Sequence, residues 1–146
     1  MTVTEDTLAD YRLLNIRKPA DLDVEKDFRW ICRSFGFLEP RDKQRTAYQI
    51  LRTIVEAARQ DGGISSDQLA EQIGLSRGTM VHHLNKLIKS GLVIHHEGQY
   101  KLRGRNFKTT IEEIKRDLSR IFENLQNVAE TVDKALGFPS RNGNME

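Results

Sequence analysis

The sequence is poor in the features that mark several protein classes. It contains one cysteine, Cys32, among 146 residues, which excludes a disulfide scaffold and a zinc finger built on cysteine ligands. A membrane span needs about eighteen consecutive apolar residues, and the sequence has no apolar run of that length. Because the first residues are acidic and lack the long apolar stretch of a secretory signal, we expect a cytoplasmic protein.

Charge is distributed unevenly along the chain. The formal net charge is only +2, but residues 76–106 hold six basic groups and one acidic group, Glu97, for a local net charge of +5. All four histidines lie in the same block. A local basic patch is typical of a protein that binds a polyanion. Charge alone leaves open the alternative of a solvated basic face without a ligand.

Apolar periodicity predicts two helices before this basic block. Apolar side chains recur at steps of four and three over residues 21–36, and Gly36 follows as a terminator. A similar pattern covers residues 41–60 and stops at Gly62. The first of these helices contains Cys32, for which a buried apolar role is favoured over a redox switch.

The two ends of the chain show weaker signals. Residues 1–40 are interpreted as an N-terminal helical extension, whose first part has a weak periodicity of Leu8, Tyr11 and Leu14 that suggests a short helix. Residues 138–146 are expected to form a frayed, disordered tail.

Two short helices separated by a tight turn are predicted, the first just before the basic block and the second inside it. Ser65 and Gln68 have the spacing of a capping box at the start of the first helix, which Gly74 closes. Ser76 is expected to cap the second helix, and Gly91 marks its carboxyl end.

A β-hairpin and a long helix complete the pattern. Residues 92–96 and 99–103 alternate in the manner of short strands, and Gly98 suits the turn between them. The helix that follows is predicted to run from 107 to 136, about 45 Å at the usual rise per residue.

This order of elements resembles the winged helix-turn-helix of prokaryotic transcriptional regulators of the ArsR and MarR types. The resemblance rests on residues 63–102, GISSDQLAEQIGLSRGTMVHHLNKLIKSGLVIHHEGQYKL, in which residues 75–87 are similar to the recognition helix. It implies a winged helix-turn-helix DNA-binding domain over residues 41–105. With the long C-terminal coiled-coil helix expected over residues 106–137, the predicted fold class is mainly α with a small β-hairpin.

The predicted recognition helix has two chemically different faces. Met80, Leu84, Leu87 and Ile88 cluster on one side, whereas polar and small residues occupy the other. In helix-turn-helix proteins the N-terminal residues of this helix reach base edges, so Arg77 is expected on guanine and Asn85 on adenine. The helix residues predicted to contact DNA bases or phosphates are Ser76, Arg77, Gly78, Thr79, Val81, His82, Asn85, Lys86 and Lys89.

The hairpin is expected to lie along the DNA backbone or in the minor groove as a wing. Glu97 at its tip departs from this expectation, because a carboxylate repels phosphate. The predicted wing contacts are His96, Gly98, Gln99, Lys101 and Arg103.

No catalytic or metal chemistry is predicted. Adjacent histidines, as at His82-His83 and His95-His96, point in different directions and make poor tetrahedral chelates. The chain has no glycine-rich phosphate loop and no nucleophile–base arrangement that periodicity brings together. We therefore expect no metal, no cofactor and no enzymatic activity.

A regular apolar seam runs along the C-terminal helix for about four heptads. It predicts pairing with a second copy through a coiled coil; a helix folded back on residues 21–36 and 41–60 is the alternative. The predicted dimerisation residues are Phe107, Ile111, Ile114, Leu118, Ile121, Leu125, Val128 and Val132.

These features together predict a homodimeric transcriptional regulator that binds double-stranded DNA sequence-specifically. The alternatives are a winged-helix module that binds a protein of the transcription or another nucleic-acid machinery, and a weakly specific architectural DNA binder. A small-molecule effector is compatible with the first function, but no ligand pocket is evident from the sequence.

Overall fold

The computed structural model describes residues 9–37, 45–60 and 62–139. By its internal packing the chain divides into two units, residues 1–110 and residues 111–146. Within the described residues the elements are α1 (Val24–Ser34), α2 (Thr46–Arg59), α3 (Ser66–Ile73), α4 (Arg77–Lys89), β1 (Val93–His96), β2 (Gln99–Leu102) and α5 (Phe107–Leu136).

Side-chain caps explain where α1 and α3 begin. Oδ1 of Asp23 accepts hydrogen bonds from the backbone N–H groups of Glu25 (2.9 Å) and Lys26 (3.2 Å). The capping box predicted for α3 is confirmed, since the Ser65 hydroxyl accepts from the Gln68 N–H (3.1 Å) while the Gln68 side chain accepts from the Ser65 N–H (3.0 Å). These bonds satisfy N–H groups that have no partner within the helix.

The first two helices are shorter than periodicity predicts. α1 does not fill residues 21–36, because Asp23 is its extended N-cap, although Gly36 follows it at a φ of 79° as expected of a terminator. α2 begins at residue 46 instead of 41, because Arg45 has a φ of 52°, outside the helical region. The predicted helical residues 41–44 lie outside the described residues.

The core of the first unit is formed by α2, α3, α4 and the start of the hairpin. Three of the four inward residues predicted for α4 are buried, namely Met80, Leu84 and Leu87, whereas Ile88 is half-buried. α4 packs against both α2 and α3. The fully buried aliphatic and thioether side chains are Ile50, Leu51, Ile54, Leu69, Met80, Leu84, Leu87, Leu92 and Val93. This packing positions α4 with one side in the core and the other in solvent.

The hairpin is antiparallel, with Val93 opposite Leu102 and His96 opposite Gln99. An additional strand contact joins it to the region before α3: the Ile64 N–H donates to the Tyr100 carbonyl (3.1 Å), and the Tyr100 N–H donates to the Ile64 carbonyl (2.7 Å). This bridge connects the hairpin to the residue that precedes α3 by two positions. The alternation of apolar and polar residues over 92–103 does not predict it.

Residues 9–22, which we call the N-terminal segment, do not form the short helix suggested by Tyr11 and Leu14; Leu8 lies outside the described residues. Backbone N–H groups of this segment donate hydrogen bonds to α4 and α1. The Asp10 N–H donates to the Lys89 carbonyl (3.1 Å), and the Leu14 N–H donates to the Ser34 carbonyl (2.8 Å). The segment thus satisfies carbonyls at the ends of α4 and α1 that a helix leaves unpaired.

An aromatic cluster surrounds Phe28 on α1. The ring of Phe28 meets the rings of Tyr48 (5.4 Å between centroids) and Phe107 (5.5 Å) edge to face, and the Arg52 guanidinium lies 5.1 Å from its centroid. By contrast, Val24 is 75% exposed, although periodicity placed it on the buried face. It lies in the first turn, ahead of the part of α1 that is packed.

Cys32 occupies the buried side of α1 and is a free thiol. Burial, together with the negative charge of Glu25, raises the pKa of the Cys32 thiol to about 12. The side chain is therefore a neutral apolar group at ordinary pH, which confirms the buried role predicted from the sequence.

The second unit contains most of α5, whose bounds coincide with the predicted ones. The mainly α architecture with a two-stranded hairpin and a long C-terminal helix is the fold class that the sequence predicts, a winged helix-turn-helix. None of the helices in the described ranges combines the length and the hydrophobicity of a membrane span.

Candidate nucleic-acid interface

The turn between α3 and α4 sets the start of α4. Gly74 ends α3 at a φ of 81°, and its N–H donates to the Ala70 carbonyl (2.8 Å). Ser76 is extended and caps α4: its hydroxyl accepts from the Thr79 N–H (3.3 Å) and donates to the Thr79 hydroxyl (2.9 Å). Ser76 and Thr79 are both exposed. They lie at the N-terminal, positive end of the α4 dipole, where an anion is stabilised.

The side of α4 away from the core is open to solvent. Gly78, His82 and Asn85 are exposed, and they lie on one face because helical residues three and four apart are neighbours. Arg77, in the first turn, is also exposed. An α-helix of about 10–12 Å diameter matches the B-DNA major groove, about 12 Å wide. The exposed face therefore meets the basic geometric requirement for groove insertion.

Val81 borders this face and is partly exposed. Gly78 has no atom within 4 Å of the position that a Cβ would occupy, so α4 presents bare backbone to solvent there. The exposed aliphatic side chain of Val81 is suited to contact with a thymine methyl group. The accessible backbone at Gly78 is suited to contact with a DNA phosphate.

The two lysines of α4 lie apart from its first turn. Lys86 and Lys89 are exposed, and both line a cavity that also contains Asp10 and Arg12 of the N-terminal segment. The sequence does not predict that the N-terminal segment lies beside these lysines. The contact depends on a backbone hydrogen bond, from the Asp10 N–H to the Lys89 carbonyl, and not on a side-chain pattern. His83, on the same side of α4, is half-buried and lines the cavity as well.

The wing is a tight hairpin with an unusual tip. Glu97 and Gly98 have φ values of 52° and 77°, as a two-residue type I′ turn requires. The Glu97 carboxylate lies 3.6 Å from Nε2 of His96, and both side chains are exposed. Behind the tip, the His95 and Tyr100 rings stack across the strands at 4.1 Å.

The predicted wing contacts differ in their exposure. His96, Gly98 and Gln99 are exposed at or next to the tip, whereas Lys101 and Arg103 are half-buried. The Arg103 backbone N–H also donates to the Leu92 carbonyl (3.0 Å). The structure thus places the accessible wing candidates at the tip, beside the one acidic residue of the basic block.

The basic block has few internal counterions within the described residues. Glu97 is the one acidic residue in the sequence of this block, and its contact with His96 is an ion pair only when the histidine is protonated. In contrast, the arginines of α2 pair with acids, as in the contact between Arg59 and Glu56 (3.0 Å). No group of three or more histidine, cysteine, aspartate or glutamate side chains that could hold a metal occurs in the described ranges.

The predicted dimerisation seam divides into two parts along α5. Phe107 is half-buried and its ring contacts Phe28 of the same chain, and Ile114 is buried. From residue 121 onward the apolar side chains are exposed; Leu125 is 58% and Val128 63% exposed. The full set of large apolar side chains exposed along this part of α5 is Ile121, Phe122, Leu125, Val128, Val132 and Leu136.

Comparison with protein families supports the interpretation of the first unit. Residues 45–94, roughly a third of the chain, match the family model of the winged helix-turn-helix DNA-binding domain. The match covers α2, α3, α4 and the beginning of β1, and it supports DNA binding by this part of the chain. Comparison with curated proteins and with solved structures finds no match.

Proposed function

We propose that this protein is a homodimeric transcriptional regulator that binds double-stranded DNA sequence-specifically. The observation that supports this most is the solvent-exposed face of α4, with Arg77 in its first turn and the opposite side of the helix packed in the core. A helix fixed in this way offers side chains of defined geometry to the edges of base pairs.

Base recognition is assigned to the exposed side chains of α4. The Arg77 guanidinium can donate two hydrogen bonds to a guanine, and the Asn85 amide can both donate to and accept from an adenine. Ser76, Thr79 and the wing tip are assigned to phosphates, which hold the helix in register without reading sequence. Lys86 and Lys89 are assigned to longer-range attraction of the DNA backbone.

Dimerisation is assigned to the exposed stripe of α5 from Ile121 to Leu136. Six large apolar side chains in contact with water are costly, since each gains about 1.5–3 kcal/mol on full burial. Four of them, Ile121, Leu125, Val128 and Val132, follow the alternating steps of four and three of a coiled-coil seam, so a second copy of α5 is the occupant that best covers them. A two-fold dimer would read a palindromic site.

Fluorescence anisotropy with a labelled duplex pool at increasing salt tests DNA binding. We expect affinity to fall steeply, because each neutralised phosphate contributes about −0.9 to the slope of log K against log salt concentration. Single strands of the same length serve as the control and should bind more weakly. A chain that stays monomeric and has no affinity for duplex would instead support a protein-interaction module, and equal affinity for all sequences would support an architectural role.

A further inference from the structure

The N-terminal segment and the outer side of α1 form a second exposed surface, outside residues 45–94 that match the DNA-binding family. Two hydrogen bonds hold the segment along the helix. The Leu14 N–H donates to the Ser34 carbonyl (2.8 Å), and Nε1 of Trp30 donates to the Ile16 carbonyl (3.1 Å). The segment therefore runs antiparallel to α1, and side chains of both elements contribute to one surface.

Four cations of this surface have no counterion. Arg29 and Arg33 are neighbours on the outer side of α1, because helical residues four apart lie one turn above the other. Arg17 and Lys18 directly follow Ile16, where the segment is bonded to the helix. All four side chains are exposed, and none has an ion-pair partner in the part of the chain that the structure describes.

The other cations of the same region are already compensated. Arg12 pairs with Asp10 (3.1 Å), and Lys26 pairs with Asp21 (2.9 Å). The four unpaired cations are therefore the positive charges that remain for an external carboxylate, which guanidinium groups bind through paired, charge-assisted hydrogen bonds.

Exposed leucines accompany these cations. Leu13 is 52% and Leu14 is 56% exposed, and the backbone of Leu14 is bonded to the residue that follows Arg33. Adjoining apolar side chains in water are better covered by a partner. A partner that fits this surface therefore carries both anionic and apolar groups. We call this surface the α1 surface, and its residues are Leu13, Leu14, Arg17, Lys18, Arg29 and Arg33.

A carboxylate at the start of α1 limits the size of the partner. Asp23, the exposed N-cap, lies six residues before Arg29, about 9 Å along the helix axis. A DNA duplex carries one charge per about 1.7 Å over a much greater length, and an anionic lipid surface is also extended, so either would meet this carboxylate. A short peptide ends before it, and unlike a phosphate backbone it offers apolar side chains to Leu13 and Leu14.

We propose that the α1 surface binds a short acidic segment of a partner protein, in which apolar side chains adjoin the carboxylates. The arginines and Lys18 bind the carboxylates, and the two leucines cover the apolar side chains. Clusters of arginines recognise acidic motifs in this manner. Because no residue of the surface belongs to α4 or to the wing, binding of the segment does not require DNA binding and gives the protein a second partner.

A nuclear magnetic resonance titration of the full-length protein tests the site without DNA. The probe is the synthetic peptide SEELSLEESG, which combines glutamates with leucines. One control peptide has glutamine in place of every glutamate, and the other has serine in place of each leucine. Trp30 is the only tryptophan in the chain, so its indole N–H signal reports on the surface unambiguously. We expect saturable shifts with the probe, centred on Leu14, Arg17, Trp30 and Arg33, and weaker binding of both control peptides.

Three variants provide the matched comparison. Arg33→Gln removes a charge of the surface from α1 and should weaken binding of the probe about fivefold. Lys18→Gln removes one from the N-terminal segment and should weaken binding in the same direction. Arg116→Gln removes an exposed arginine from α5 and should leave it unchanged. Absence of saturable shifts, shifts centred on another element, equal binding of either control peptide, or equal effects of Arg33→Gln and Arg116→Gln would each overturn the proposed site.

Two further measurements distinguish the peptide from other polyanions. Duplex affinity of Arg33→Gln should equal that of the unmodified protein, and phosphatidylglycerol vesicles should not retain the protein through this surface. A lower duplex affinity in Arg33→Gln would assign the surface to DNA, and vesicle binding that Lys18→Gln abolishes would assign it to a membrane. Either result would overturn the proposal. A protein that binds the probe but has no affinity for duplex would overturn the proposed function alone.

Discussion

At the scale of single residues, Arg77 is the side chain on which base recognition depends most. Replacement of Arg77 by alanine should cost about 1–3 kcal/mol of DNA-binding free energy and relax the preference at one base position. Arg29→Ala, which removes an exposed arginine from α1, is the control and should change neither. Competition binding against duplexes that vary at each position measures both effects, and an unchanged preference in Arg77→Ala would remove Arg77 from the recognition set.

Glu97 stores conformational strain at the wing tip. Its φ of 52° is left-handed, a region that asparagine tolerates and most other residues enter only at a cost of roughly 1–2 kcal/mol. Glu97→Asn should therefore raise the free energy of unfolding by about 1 kcal/mol.

Glu97→Gln is the matched control for this prediction, because it removes the same charge but retains the backbone cost. Urea unfolding of both variants separates the two effects. If Gln stabilises as much as Asn, the gain comes from the lost charge and not from the turn conformation.

Cys32 should be chemically inert in the folded protein. Burial raises the pKa of its thiol to about 12 from the usual 9.0, so at pH 8 the reactive thiolate is almost absent and the group is also shielded. Alkylation with iodoacetamide should proceed far more slowly in the native state than in urea. Because the unfolded thiol ionises first, folding stability should also decline as the pH rises from 9 toward 12; equal alkylation rates in the two states would contradict the buried placement.

At the scale of elements, the entry into α5 depends on a close contact that leaves no room for a side chain. The Gly104 N–H donates to the Thr110 hydroxyl (2.9 Å), and a Cβ at Gly104 would lie 2.8 Å from the Thr110 backbone nitrogen. Gly104→Ala should therefore destabilise the fold by about 1–3 kcal/mol.

Gly78→Ala is the control for this contact, since a Cβ at Gly78 meets no atom within 4 Å. Alanine is the better helix former, so this change should stabilise α4 by at most about 1 kcal/mol. Thermal unfolding of the two variants measures both effects. Opposite signs are expected, and a neutral Gly104→Ala would show that the junction can relax.

Local chemistry explains which elements could be predicted from the sequence. The capping box at Ser65, the cap at Ser76 and the terminators Gly74 and Gly91 depend on residues a few positions apart, and the bounds of α3 and α4 follow from them. The exposure of the α4 face follows in the same way, because helical periodicity decides which side is buried.

Long-range backbone contacts explain what could not be predicted. The bridge from Ile64 to Tyr100 and the bond from Asp10 to Lys89 join residues far apart in the chain through main-chain groups that every residue has. No side-chain pattern encodes them. The cavity beside α4 therefore has no signal in the sequence, which predicts Lys86 and Lys89 only as DNA contacts.

At the scale of the whole molecule, the exposed stripe of α5 should control the oligomeric state. Leu125→Glu places a charge in the middle of the stripe and should convert a dimer, at twice the chain mass of 16.8 kDa, into a monomer. Because Leu125 is already exposed in the single chain, the fold itself should be preserved.

Gln126→Glu adds the same charge at the next position, outside the seam, and should leave the dimer intact. Sedimentation equilibrium gives the mass of each variant, and circular dichroism verifies the helix content. Dimers in both variants would show that α5 is not the interface, and a monomeric unmodified chain would overturn the proposed homodimer.

Selection of bound sequences from a random duplex pool by the unmodified protein tests most directly whether the exposed face of α4 reads DNA. The proposed function predicts an enriched palindrome, and repetition with Arg77→Ala should lose the enrichment at one position of each half-site. Retention of no duplex at low salt, or recovery of a pool without any enriched sequence, would contradict it.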